Sequence, residues 1–201
     1  MKNSPLLIGI TGGIGSGKSL ISSIFNKLGL PVYDADTRAK WLMAHDPNIK
    51  SQLIELLGSE SFTEQGLNRS FIARKSFNNE KILTRLNAMV HPEVGVDFTR
   101  WVALHDSSPV LLKESALIFE TSSHTELDQV ILVLSPSALR IKRVLARDLH
   151  RDKKDIEAII SRQLPAAETS LLAHFIIKND ERNLLFPQVL SIHKALIAQA
   201  S

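Results

Sequence analysis

Residues 12–19 read Gly-Gly-Ile-Gly-Ser-Gly-Lys-Ser: four glycines within six residues, then an amine and a hydroxyl. Main-chain amides approach an oxyanion closely only where no Cβ stands in the way. The spacing Gly-x-x-x-x-Gly-Lys-Ser is that of a phosphate loop. In such a loop the backbone of Gly12, Gly13, Ile14, Gly15, Ser16 and Gly17 cradles phosphate oxygens, and Lys18 reaches the β- and γ-phosphates. The Ser19 hydroxyl then ligates Mg²⁺. The competing dinucleotide pattern, Gly-x-Gly-x-x-Gly, fails because Lys18 stands three residues after Gly15. The implied ligand is a nucleoside triphosphate with Mg²⁺.

Three carboxylates and a set of arginines could complete the chemistry. Asp34 and Asp36 follow a short apolar run, and Glu114 ends another, so all three fall at the carboxyl edge of a parallel sheet. A carboxylate there can take the proton of an attacking hydroxyl or hold Mg²⁺. The bland alternatives are a helix cap for the aspartates and a paired surface charge for Glu114. Seven of the 24 basic residues lie between Arg140 and Lys154. Arg140, Arg143 and Arg147 share one helical face, as a lid over a transferring phosphoryl group requires. A GTPase would need Asn-Lys-x-Asp, whereas Lys178-Asn179-Asp180 has those types in the wrong order. A small P-loop kinase fits 201 residues better than a mechanical ATPase.

The elements that must position these residues are readable. Leu6–Ile10, Pro31–Tyr33, Val110–Leu112, Val130–Leu134 and Phe175–Ile177 are continuous apolar runs, as expected of strands buried on both faces. Helical spacing fills the gaps, with Leu20, Ile21, Ile24, Phe25 and Leu28 after the loop, and Leu185, Val189, Ile192 and Leu196 near the end. The expected fold is α/β: a P-loop NTPase-type parallel five-stranded sheet flanked by helices, with a mostly helical substrate-binding insertion and a lid. Trp41 and Trp101 read as core or interface aromatics. The chain has 44% apolar residues, no cysteine, a net charge of +3 and no run of eighteen apolar residues. That excludes thiolate metal sites and points to a cytoplasmic protein, with neither nucleic acid nor membrane as a partner. A monomer or small homo-oligomer is expected.

Taken together, "GITGGIGSGKS" at 9–19, "VYDAD" at 32–36, "GLNRSFIARKSF" at 66–77, "LTRLNAMVHPEV" at 83–94, "LIFE" at 117–120, "RVLARD" at 143–148 and "IIKND" at 176–180 resemble the dephospho-CoA kinase family. The pieces are collinear and span nearly the whole chain. The resemblance implies transfer of the ATP γ-phosphate to the ribose 3′-hydroxyl of dephospho-CoA. The wider alternatives are a kinase for a nucleoside monophosphate or another small alcohol, and a regulator that binds nucleotide without transfer.

On the family pattern Asp36 is the base, with Lys18 and Arg147 at the reacting phosphate. Arg69, His91 and Pro92 belong to the acceptor region, and Asn179 lies near the adenine. Arg143 and the stretch ending at Leu20 contact the nucleotide, while Ser19, Asp36 and Glu114 serve the metal. The implied organisation is a core of residues 1–36, 106–142 and 166–201, a helical CoA-binding insertion at 37–105, and a lid at 143–165. The chain departs from the pattern in three places. Leu20 replaces a threonine, Glu114 and Ala116 replace Asp and Pro, and Ile159 stands where an arginine is expected one turn before Gln163.

Overall fold

The structure, a computed structural model, describes residues 4–76, 79–149 and 151–200. The chain begins with β1 (Leu6–Thr11), α1 (Lys18–Lys27) and β2 (Val32–Asp34). Next come α2 (Ala35–His45), α3 (Pro47–Leu57), β3 (Phe62–Thr63), β4 (Gly66–Leu67), α4 (Arg69–Ser76) and α5 (Glu80–Leu104). It then returns to the sheet through β5 (Val110–Glu114), β6 (Gln129–Leu134), α6 (Ser137–Arg147), α7 (Lys153–Ser161), α8 (Ala166–Leu172), β7 (Phe175–Lys178) and α9 (Leu185–Ala200).

The apolar runs lack alternation because both faces of their sheet are covered. Five strands pair in parallel in the order β2-β5-β1-β6-β7. On one face α1 and α9 pack Ile21, Phe25, Val189, Ile192 and Leu196 against Ile8, Ile10, Leu112, Ile131 and Val133. On the other, Ile118 and Phe119 cover Val130. From central β1 the chain leaves toward the β2 edge, and it later crosses from β5 to β6 on β1's other side. The loop after β1 therefore opens at the point where strand order reverses, which is where open α/β sheets bind ligands.

Two compact units result: residues 1–34 with 104–201, and residues 35–103. The second is mostly helical. Asp46 caps α3 by accepting a hydrogen bond from the Ile49 amide at 3.0 Å, with Pro47 pre-set at the first helical position. A salt bridge ties α2 to α5: Arg38 Nε and Nη2 donate to Asp97 at 2.8 and 2.6 Å.

Three local features differ from the sequence reading. Residues 62–67 form a two-residue antiparallel ladder, turning at residues 64–65 and resuming at Gly66 with φ +108°, inside a region read as mostly helical. Trp41 is 45% exposed, stacked on His45 with Arg38 over its ring, so it is not a core residue. Leu20 is also exposed, although Ile21 and Phe25 on the same helix are buried. Among the described residues no helix is long and apolar enough to cross a membrane.

Candidate active site

The loop between β1 and α1 has the backbone its spacing calls for. Gly17 caps α1 in the left-handed region at φ +93° and supplies no side chain, which leaves the first-turn amides facing outward. An added Cβ there would fall on the Asn179 side-chain amide. A Cβ on Gly13 would fall inside the Arg140 guanidinium. Glycine is needed at 17 for its torsion and at 13 for room. Lys18 is buried, and its Nζ donates to the Gly12 carbonyl at 2.8 Å, so the ammonium folds back over the loop.

Side chains from the last third of the chain hold this loop. The Asn179 amide donates to the Ser16 carbonyl at 2.7 Å. Arg143 in turn donates to Ser135 Oγ at 3.1 Å and to the Asn179 carbonyl and Oδ1, each at 3.3 Å. Arg140 Nε donates to the Ile14 carbonyl at 2.8 Å. Gln163 Oε1 accepts from both the Ile14 amide at 3.0 Å and Arg140 Nη2 at 2.8 Å. Burial lowers the Arg140 pKa from its ordinary value.

On the β5 side, the Ser19 hydroxyl donates to Glu114 Oε1 at 2.9 Å. Glu114 is buried, which rules out a surface charge. Parallel register sets it level with Ile10 of β1 and Asp34 of β2, all at carboxyl ends. A buried carboxylate bonded to the loop hydroxyl is a pair of hard oxygens beside phosphate-binding amides. That suits Mg²⁺, which is held by one or two carboxylates plus substrate phosphates rather than by a protein cage. The described residues contain no cluster of three or more acidic, His or Cys ligands.

A cavity of about 330 Å³ opens next to the loop. Gly12, Gly13, Ser16, Phe119, Arg140 and Gln163 are among its walls. Ser16 Oγ is buried there with no hydrogen-bond partner among the described residues.

The structure thus gathers Gly12 through Ser19 with Glu114, Arg143 and Asn179. It does not bring Arg147 to them. That side chain is 64% exposed and donates through Nε and Nη2 to Asp148, at 2.7 and 3.0 Å. The hydrogen bond, then the negative charge of Asp148, raises the Arg147 pKa against the opposing effect of partial burial. Leu20 lies on the exposed side of α1. The remaining candidates belong to the helical unit. Asp36 occupies the first turn of α2 and Arg69 begins α4, both exposed. His91 and Pro92 lie within α5, half-buried and exposed respectively, in continuous helix rather than in a turn.

Residues 6–184 match the family model described as dephospho-CoA kinase (CoaE). The chain belongs to the dephospho-CoA kinase family. A dephospho-CoA kinase of Porphyromonas gingivalis is 37% identical over 93% of this chain and 92% of its own length. The crystal structure of TT1252 from Thermus thermophilus superposes with a TM-score of 0.83 at 29% identity, covering 99% of this chain and all of that one. A dephospho-CoA kinase from Campylobacter jejuni shares the fold, with a TM-score of 0.67 at 23% identity over 96% of both chains. The fold expected from the strand runs, a five-stranded parallel sheet flanked by helices, is the one observed. As a member of a kinase family the chain is a phosphotransferase that uses ATP.

From sequence, Arg140 falls among the lid arginines and Gln163 within the lid, and neither is assigned to the phosphate loop. Arg140 shows only as one of three arginines on a helical face, and Gln163 only as a match to the family's lid. Their shared contact at Ile14 spans 126 and 149 positions, which no local period records.

Proposed function

We propose that this chain transfers the γ-phosphate of ATP to the ribose 3′-hydroxyl of dephospho-CoA, producing CoA and ADP. The observation that carries the reading is the phosphate loop at the end of β1, with Lys18 folded over it and Ser19 bonded to buried Glu114. In the proposed step the 3′-oxygen attacks the γ-phosphorus in line, and its proton passes to the Asp36 carboxylate. The bond from γ-phosphorus to the β–γ bridging oxygen breaks, and ADP leaves with that electron pair. The loop amides and Lys18 stabilise the charge that spreads over the phosphoryl oxygens. Ser19 and Glu114, with Asp36, would hold Mg²⁺ with the triphosphate, and the ion would supply further charge neutralisation there. Asn179 and Arg143 border the nucleotide's base. Arg69, His91 and Pro92 receive the acceptor. Arg147, paired with Asp148 in this structure, brings its charge to the phosphoryl group once substrates are in place. The setting is cytoplasmic, in keeping with a cysteine-free chain.

The test is ADP release from ATP with Mg²⁺ and, in turn, dephospho-CoA, adenosine monophosphate, shikimate or no acceptor. Turnover only with dephospho-CoA is the expected result. Turnover with adenosine monophosphate or shikimate alone would reassign the acceptor, and equal turnover without any acceptor would make the chain a hydrolase or switch.

A further inference from the structure

Ile14 sits at the apex of the phosphate loop, and both of its main-chain groups are taken by side chains from elsewhere. Its carbonyl accepts from Arg140 Nε, its amide donates to Gln163 Oε1, and that same oxygen accepts from Arg140 Nη2. Three hydrogen bonds of 2.8–3.0 Å close a ring around one residue of the loop. The two anchors come from α6 and from the turn between α7 and α8, so the ring also ties the loop to the stretch read as a lid.

Arg140 has a second property. Its hydrogen bonds go to neutral oxygens, and among the described residues it forms no ion pair with a carboxylate. A half-buried guanidinium held against Gly13 by neutral acceptors leaves its charge uncompensated beside the amides that grip phosphate.

We propose that Arg140 and Gln163 are positioning residues for the phosphate loop, fixing the peptide planes on either side of Ile14 before the triphosphate arrives. A loop whose amides already converge loses less freedom on binding, so the gain appears in nucleotide affinity. Once bound, the phosphates themselves order the loop, and the chemical step gains much less. The inference rests on the reading that Gly12–Ser19 grip the triphosphate.

The experiment compares Arg140→Met, Gln163→Met and the double variant, with urea unfolding to establish that each is folded. Calorimetry gives the Kd for ATP with Mg²⁺, and steady-state assays give KM and kcat with dephospho-CoA. Either single change is expected to raise the ATP Kd about tenfold while kcat stays within about threefold. Because either change opens the ring, the double variant is expected to match the singles. Arg140→Lys keeps the charge without the two-pronged donor and is expected to recover only part of the affinity. It also serves if Arg140→Met does not fold. Single variants within twofold of the parent in Kd, a double variant about a hundredfold weaker, or full recovery by lysine would each overturn the proposal. A parent protein that binds no ATP would instead overturn the loop reading itself.

Discussion

Gly13 and Gly17 lack side chains for reasons that can be separated by substitution. Gly17→Ala places a Cβ at φ +93° and onto Asn179, so both strain and a clash follow. It is expected to cost about 1–3 kcal/mol in urea unfolding and to raise the ATP Kd at least about tenfold. Gly29 has nearly the same torsion, φ +91°, with nothing within 4 Å of an added Cβ. Gly29→Ala is therefore expected to lose only about 1–2 kcal/mol and to leave ATP binding unchanged. Equal effects on ATP binding would mean that torsion alone shapes the loop. Asp36→Asn is expected to lower kcat by about 10²–10⁴ with the ATP Kd within twofold, as removal of a base would. A loss confined to ATP or Mg²⁺ binding would make Asp36 a metal residue instead. The loop was legible because its chemistry is local: glycines, lysine and serine are fixed by spacing along one turn. What holds it was not, because Asn179, Arg140 and Gln163 meet it through the folded sheet.

The strands show a similar division. Runs such as Val130–Leu134 announce themselves, since burial on both faces leaves no polar alternation to misread. The ladder of β3 and β4, two residues each, is too short to carry any period. The polar interruption in β5 has its own energetics. Lys113 is 5% exposed, and its Nζ lies 3.7 Å from the largely exposed Glu126 carboxylate. Burial lowers its pKa below the ordinary 10.5, and the nearby Glu126 only partly offsets this. Between the lowered value and 10.5 the unfolded chain binds the proton more tightly than the folded one. The Lys113 contribution to stability therefore rises as pH climbs through that window and is a cost below it. Lys113→Met, which keeps the volume and removes the charge, is expected to match or exceed the parent in stability at pH 7 and to flatten the alkaline rise. A loss of more than about 2 kcal/mol at pH 7 in urea unfolding would show that the ammonium is well compensated.

At the scale of the molecule, ligand and fold are linked through the same loop. ATP with Mg²⁺ at a hundred times its Kd is expected to add about 2.7 kcal/mol to stability, or roughly 5–10 °C in Tm for a chain of this size. Lys18→Ala, folded to the same extent, is expected to lose most of that shift; an undiminished shift in differential scanning calorimetry would remove Lys18 from nucleotide binding. The chain divides into a sheet-bearing part and a mostly helical part. One of the breaks falls between Asp34 and Ala35, inside a single short motif. The grip of Arg140, Gln163 and Asn179 on Ile14 and Ser16 also bears on how the protein is made. Residues 12–19 leave the ribosome well before the side chains that set their shape, which follow 126, 149 and 163 positions after their partners in the loop. A nascent chain halted before residue 140 should carry the whole motif and still bind ATP poorly, so nucleotide capture waits for residues far downstream of the loop it uses.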